Sequence, residues 1–202
     1  MSLKKISKNQ PKSFEFTNEN KLIAEEIIKK YPKGKEQSAV MALLYIAQRQ
    51  NSNWIPLIAM KYIAKLLNMP YIKVYEVATF YSMYNLQPVG EYFIQVCTTT
   101  PCMLRGAYKL VEACKETISE NENELSTDGK CSWVEVECLG ACVNAPMMQI
   151  NDDYYEDLDK AKTLKIIDNI SKGKKIKPGS YRGRKNSEPE NNRTTLMDIN
   201  NA

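Results

Sequence analysis

The sequence predicts an α+β protein: an N-terminal helical bundle followed by a small α/β domain. Three observations carry this. Apolar residues recur at helical spacing from Thr17 to Tyr84. A breaker cluster, Leu86-Gln87-Pro88-Val89-Gly90, then changes the texture. Beyond it, short β-branched and aromatic runs flank one amphipathic segment.

Residues 1–16 are polar and lysine-rich, interrupted by Pro11, and read as a loose lead-in. From Thr17, Leu22, Ile23, Ile27 and Ile28 fall on one helical face, and Pro32 with Gly34 ends the run. A second helix spans about Gln37 to Gln50, with Val40, Leu43, Leu44 and Ala47 forming a core stripe. The third runs from Pro56, suited to a first helical position, to Leu67. A fourth covers Ile72 to Tyr84, carrying Val74, Val77, Ala78 and Tyr81; the stripe from Val77 to Tyr84 reads as bundle core in preference to a partner surface, for which Tyr81 or Tyr84 would be the contact residues. Short connections between such helices favour an antiparallel bundle over residues 17–88.

Residues 89–173 read as strand, helix, strand, strand, helix. The strands are Tyr92–Val96, Trp133–Val136 and Met147–Ile150, with Tyr154-Tyr155 placed to pair back as a hairpin. The helices are Cys102 to Ser119, with Cys114 facing inward, and Asp157 to Ser171, closed by Gly173. This order makes an α/β sandwich of thioredoxin-like type. Residues 174–202 have almost no apolar content and read as an extended, partner-docking tail.

Hydrophobic residues make up 43% and charged residues 26%, the balance of a soluble globular chain rather than a disordered one. The net charge of +4 is unevenly placed. From Lys172 onward there are eight Lys/Arg against three Asp/Glu, so the body is near neutral. With no aromatic residues interleaving that basic tail, nucleic acid is not an expected partner. No apolar run approaches the roughly 20 residues that span a bilayer, so no direct membrane insertion is expected. The start lacks an apolar secretory core and an arginine-rich leader. With the high Lys, Asn and Ile content, this points to a bacterial cytoplasm rather than a mitochondrial matrix.

In that reducing compartment, paired cysteines bind metal or do redox work. Cys97 and Cys102 form one pair; thirty-five residues later Cys138 and Cys142 form another. Each pair sits on a loop leaving a strand, and such loops gather at one edge of an α/β layer. Zinc sites of four cysteines usually use Cys-x-x-Cys knuckles, which are absent. The wider spacing favours a 2Fe–2S rhombus, whose irons each take two thiolates from separate directions. Zinc remains the alternative, in a stapled structural adaptor with no electron-transfer role. Thiol exchange of the Cys-x-x-Cys kind is the least favoured. Thr98, Thr99 and Thr100 can donate hydroxyls to sulfur, and Gly140 permits close backbone approach. Cys114 reads as a buried structural thiol, and Cys131, beside Gly129 and Lys130, as an exposed non-ligand. Met83, Met147 and Met148 read as packing residues. The chain has no histidine and no Gly-x-Gly-x-x-Gly fingerprint, so neither histidine acid–base chemistry nor a dinucleotide site is expected.

The cysteine pairs, with Leu139-Gly140-Ala141 and Asn144-Ala145-Pro146, resemble the thioredoxin-like 2Fe–2S ferredoxin family. Upstream, Tyr75-Glu76-Val77-Ala78-Thr79-Phe80-Tyr81 resembles the helical segment preceding that domain in respiratory complex I. The tail motifs Arg182-Gly183-Arg184, Ser187-Glu188-Pro189 and Thr194-Thr195-Leu196 extend the resemblance over residues 17–196. It implies one 2Fe–2S cluster held by Cys97, Cys102, Cys138 and Cys142. It also implies a flavin-carrying, NADH-oxidising partner subunit beside that cluster, with other peripheral-arm subunits around it. The cluster would take an electron from reduced flavin on a side branch, at the membrane periphery, as part of an NADH:quinone oxidoreductase. Related NAD-linked hydrogenases and formate dehydrogenases use similar chains. The sequence departs from the family after Pro189, where a glycine-rich stretch is replaced by Glu190-Asn191-Asn192.

Overall fold

The computed structural model describes residues 5–191 and 194–195; Leu196 and Asn192 of the motifs above lie outside the described residues. The chain divides into two compact units between Val89 and Gly90.

The first unit is helical. Helix α1 (Asn18–Lys29) starts at Thr17, whose hydroxyl accepts from the Asn20 N–H and satisfies one orphan donor. Its inward stripe is Ala24 with Ile27 and Ile28, while Leu22 and Ile23 face solvent, one position away from the expected face. A 3-10 turn at Glu36–Ala39 leads into α2 (Val40–Gln50), which buries Val40, Leu43, Leu44 and Ala47 at the expected spacing. Helix α3 (Leu57–Leu66) follows Pro56, and α4 (Tyr71–Phe80) buries Val74 and Ala78.

Helix α4 stops at Phe80, short of the expected Tyr84. The buried Gln48 amide donates to Met83 O (3.1 Å) and accepts from the Asn85 N–H (2.8 Å), offering this segment partners other than a helical ladder. Tyr84 is therefore core, its hydroxyl donating to Met41 O at 2.9 Å, and it is not a contact residue. Met83 is exposed instead of packed. Residues 5–16 carry no helix or strand, yet Phe16 is buried. Phe14, Phe16 and Tyr62 meet edge to face at 5.2–5.8 Å, and Gln10 Oε1 accepts the Leu57 N–H at the start of α3.

The second unit is a five-stranded sheet of order β2-β1-β3-β4-β5. Strand β1 (Tyr92–Cys97) pairs parallel with β2 (Cys131–Val136), Cys97 opposite Val136. Strand β3 (Met148–Ile150) runs antiparallel to β1 and to β4 (Asp153–Glu156). The crossover from β1 to β2 holds α5 (Thr100–Leu104) and α6 (Tyr108–Thr117). The single helix expected over this stretch is broken where Gly106 takes φ +97°, a left-handed turn that glycine adopts without Cβ strain. Helix α7 (Lys160–Ser171) is capped by Asp159 and packs with α6. Leu110, Val111 and Cys114 of α6 and Ile166, Ile167 and Ile170 of α7 pack with Ile94, Val96, Trp133 and Met148.

The tail is ordered further than its composition predicts. Strand β5 (Gly179–Ser180) pairs parallel with β4. Beyond it, Arg184 forms a bidentate ion pair with Asp157 (2.6 and 2.9 Å), both side chains almost fully withdrawn from solvent. A charged residue in the tail and a buried carboxylate at the sheet edge need each other, which no local hydropathy pattern records.

Candidate metal centre

Parallel pairing of β1 and β2 brings their C-terminal ends to one sheet edge. Cys97 closes β1 there, and Cys138 follows two residues after Val136. Because β3 runs the other way, the return segment from Leu139 to Met147 closes at the same edge, with the Cys97 N–H donating to Met147 O. The short helix α5 carries Cys102 back beneath it. The topology thus brings both cysteine pairs to one sheet edge across the thirty-five residues that separate them.

The sulfurs arrive as two pairs. Cys138 Sγ and Cys142 Sγ are 3.3 Å apart, and Cys97 lies near enough to Cys102 to raise its thiol. Cys138 also reaches Cys97 and Thr99, which links the pairs. Cys97 and Cys102 are buried; Cys138 is exposed and Cys142 half-buried. Polar groups meet the sulfurs: Thr99 Oγ1 lies 3.3 Å from Cys97 Sγ, the Gly140 N–H donates to Cys138 Sγ at 3.4 Å, and the Met147 backbone acts to lower the Cys102 thiol. Gly140 takes φ +85°, the left-handed conformation that turns its N–H back onto the sulfur. Tyr154 fixes the neighbouring carbonyl, its hydroxyl donating to Leu139 O at 2.7 Å. The Ala145–Pro146 peptide is cis.

Electrostatics separates the pairs. The Gly140 N–H, then the Cys142 thiol, hold Cys138 below the ordinary thiol value. Cys142 is pushed up in turn, chiefly as the donor to Cys138. Burial, then the neighbouring Cys97, push Cys102 up to about 12. An inner thiol in a low-dielectric setting releases its proton only when a cation compensates the charge, so a metal held there would displace that proton.

This donor set fits an iron–sulfur core: soft sulfur ligands in two pairs, with hydrogen-bond donors directed at a group of net negative charge. Among the described residues, no group of three or more Cys, Asp or Glu side chains is gathered closely enough to hold one metal ion.

Cys114 and Cys131 stand apart, in the hydrophobic core between sheet and helices. Burial pushes them up to about 12 and about 11, leaving neutral thiols at physiological pH. Cys114 is the expected core thiol. Cys131 corrects the expectation of an exposed loop residue: β2 begins two residues early, and the loop from Ser126 closes over it with the Cys131 N–H donated to Ser126 Oγ at 2.9 Å. Met147 and Met148 are fully buried packing residues, as expected. Sequence reasoning named Tyr154, Asn144, Asp157 and Arg184 only in motifs or element boundaries and gave them no role around the site; each acts through a contact at least twelve residues away in the chain.

The family model for thioredoxin-like [2Fe-2S] ferredoxins matches residues 24–171. A Rickettsia bellii protein named as a subunit of NADH-quinone oxidoreductase is 54% identical over 158 residues, 78% of this chain and 95% of that protein. The Dictyostelium discoideum protein named NADH dehydrogenase [ubiquinone] flavoprotein 2, mitochondrial, is 48% identical over 190 residues, 94% of this chain and 77% of its own. Among solved structures, a chain of the NAD+-reducing [NiFe]-hydrogenase in the H2-reduced state superposes with a TM-score of 0.57 at 18% identity. The match covers 66% of this chain and only 22% of that one, and at this identity it speaks to fold alone. No helix among the described residues is long and apolar enough to cross a membrane. Four cysteines drawn to one edge of a small mixed sheet, a family match over most of the chain and relatives above 50% identity lead to one conclusion: the chain belongs to the thioredoxin-like [2Fe-2S] ferredoxin family, whose cofactor is one 2Fe–2S cluster.

Proposed function

We propose that this chain is an electron-transfer subunit of respiratory NADH:quinone oxidoreductase, holding one 2Fe–2S cluster through Cys97, Cys102, Cys138 and Cys142 beside the flavin of an NADH-oxidising partner subunit. The observation that carries this reading is the pairing of the sulfurs, one pair buried and the other open at the sheet edge. The cluster, when bound, accepts and releases one electron without needing a proton donor or a substrate pocket. The chain's residues hold it: Cys97 with Cys102 and Cys138 with Cys142 as two bidentate pairs, while Thr99, the Gly140 N–H and the Met147 backbone meet the sulfurs. The open side is where an electron partner reaches the cluster. Apolar side chains flank it, with Leu104 76% exposed two residues after Cys102 and Val143 60% exposed beside Cys142. These two side chains are where we place the partner's contact. The names of the relatives support a place in NADH-quinone oxidoreductase; our reading sets the chain among peripheral-arm subunits, on the cytoplasmic face of a bacterial membrane.

Affinity purification of the tagged chain from its native membranes, followed by flavin and metal analysis, tests this. The expected result is a flavin-containing partner in equal amount and a cluster that NADH reduces only in the complex. A chain that carries one zinc and no partner flavin would replace this reading with that of a stapled adaptor.

A further inference from the structure

Three segments of the second unit meet behind the cysteine edge: the loop after Cys142, the β4–α7 connection, and the tail from Ser180 to Glu190. Arg184 stands at the centre. Its guanidinium forks onto the buried Asp157 carboxylate, which also accepts from Ser180 Oγ (2.5 Å). The same guanidinium donates to Val143 O at 2.9 Å, the residue next to Cys142, and to Glu188 O at 2.9 Å. Asp157 returns to the loop through its own N–H, which donates to Asn144 O at 2.8 Å. The Asn144 amide donates to Glu156 Oε2 (2.6 Å) and to Asn186 O (2.8 Å). Asn144 Oδ1 has no partner among the described residues, so both amide hydrogens go to the tail and β4 at the expense of its acceptor. At the far end, Glu190 bridges Arg182 and Arg105, the residue that closes the Cys102 helix.

We propose that Arg184 is a positioning residue for the cluster, and that the tail segment from Ser180 to Glu188 is a clamp setting the backbone that presents the Cys142 sulfur. The inference rests on Cys142 being a cluster ligand. Cys138 and Cys142 are the accessible pair, and their loop has only a 3-10 turn, Cys142–Asn144, of regular structure. Its rigidity therefore comes from outside, and the network supplies it through Val143 O, Asn144 O and the Asn144 amide. Fixing a ligand's orientation through groups that do not touch the metal is a general way of tuning metal affinity and spectrum. The planar fork is essential, because one guanidinium holds the carboxylate and two carbonyls at once; an ammonium is a point charge that cannot span them.

The test compares full-length wild type with Arg184→Lys and with Ile170→Ala, which cuts into the core away from the loop. Each is loaded anaerobically with iron and sulfide. Thermal unfolding, the EPR g-values of the reduced cluster and the rate of bleaching by a chelator are then measured. Arg184→Lys is expected to shift the g-values and to bleach about tenfold faster, in line with the 10–100-fold cost of losing such supporting contacts. Ile170→Ala is expected to lower the melting temperature at least as much while leaving the g-values unchanged. If Arg184→Lys matches wild type in g-values, or bleaches no faster than Ile170→Ala, the positioning role is overturned and Arg184 is structural only. Failure of the underlying reading looks different: wild type itself would fail to assemble the cluster, or would do so unchanged in Cys142→Ala.

Discussion

Full-length protein carrying Cys138→Ala, reconstituted anaerobically, is expected to be colourless and to lose the rhombic EPR signal that dithionite elicits from wild type. The residue is exposed, its thiol is held below the ordinary value by the Gly140 N–H, and it pairs with Cys142 at 3.3 Å. It is thus the sulfur poised to engage metal first. Removing an exposed side chain alters stability by only about 0.5 kcal/mol, so circular dichroism should show an intact fold. Cys114→Ala is the matched control, because that thiol is buried in the core away from the cysteine edge. It should lower stability and keep the full signal. An unchanged signal in Cys138→Ala would remove that residue from the ligand set.

Asp157→Ala is expected to be the most destabilising single change outside the hydrophobic core, by about 3–5 kcal/mol, because it leaves the Arg184 charge buried without its partner. Thermal unfolding followed by Trp133 fluorescence in a Trp54→Phe background reads this in the second unit. The pH dependence has a fixed sign. Burial alone would push the Asp157 carboxyl up, but hydrogen bonds from Arg184 and Ser180 outweigh it and hold the group below the ordinary carboxylate value. A depressed folded-state value means that the stabilisation is fully present above the unfolded pKa of about 3.9 and is lost as pH falls through the lower folded value. The gap in melting temperature between wild type and Asp157→Asn should therefore be constant near neutrality and close only below about pH 4. A gap that closed between pH 5 and 7 would contradict the assignment of the ionised pair.

Local pattern carried much of this fold. The stripe Val40, Leu43, Leu44 and Ala47 is buried as its 3.6-residue period requires. Both cysteine pairs were legible because sulfur spacing and loop position are sequence properties, and the parallel pairing of β1 with β2 then closes the distance. The failures have a common cause in partners distant along the chain. Helix α4 ends at Phe80 because Gln48, thirty-five residues from Met83, takes over the backbone of the next segment. Tyr84 is core, as preferred for its stripe, and the alternative of partner contact falls because its hydroxyl meets Met41 O across the bundle. The tail looked unstructured because an ordering charge, Arg184, finds Asp157 twenty-seven residues away. Neither residue carries a local hydropathy signal, and the tail's low apolar content hides an interaction that is ionic and buried. Gly106 was a readable exception: a glycine inside a helical pattern marked the break between α5 and α6, and periodicity alone overrode it.

Counting iron and acid-labile sulfide in anaerobically purified wild type reaches the central claim most directly. Four cysteines meeting as two pairs at the edge of the β1–β2 ladder predict two irons and two sulfides per chain and no zinc. One zinc per chain without sulfide would contradict it, and the paired sulfurs would then serve structure rather than electron transfer.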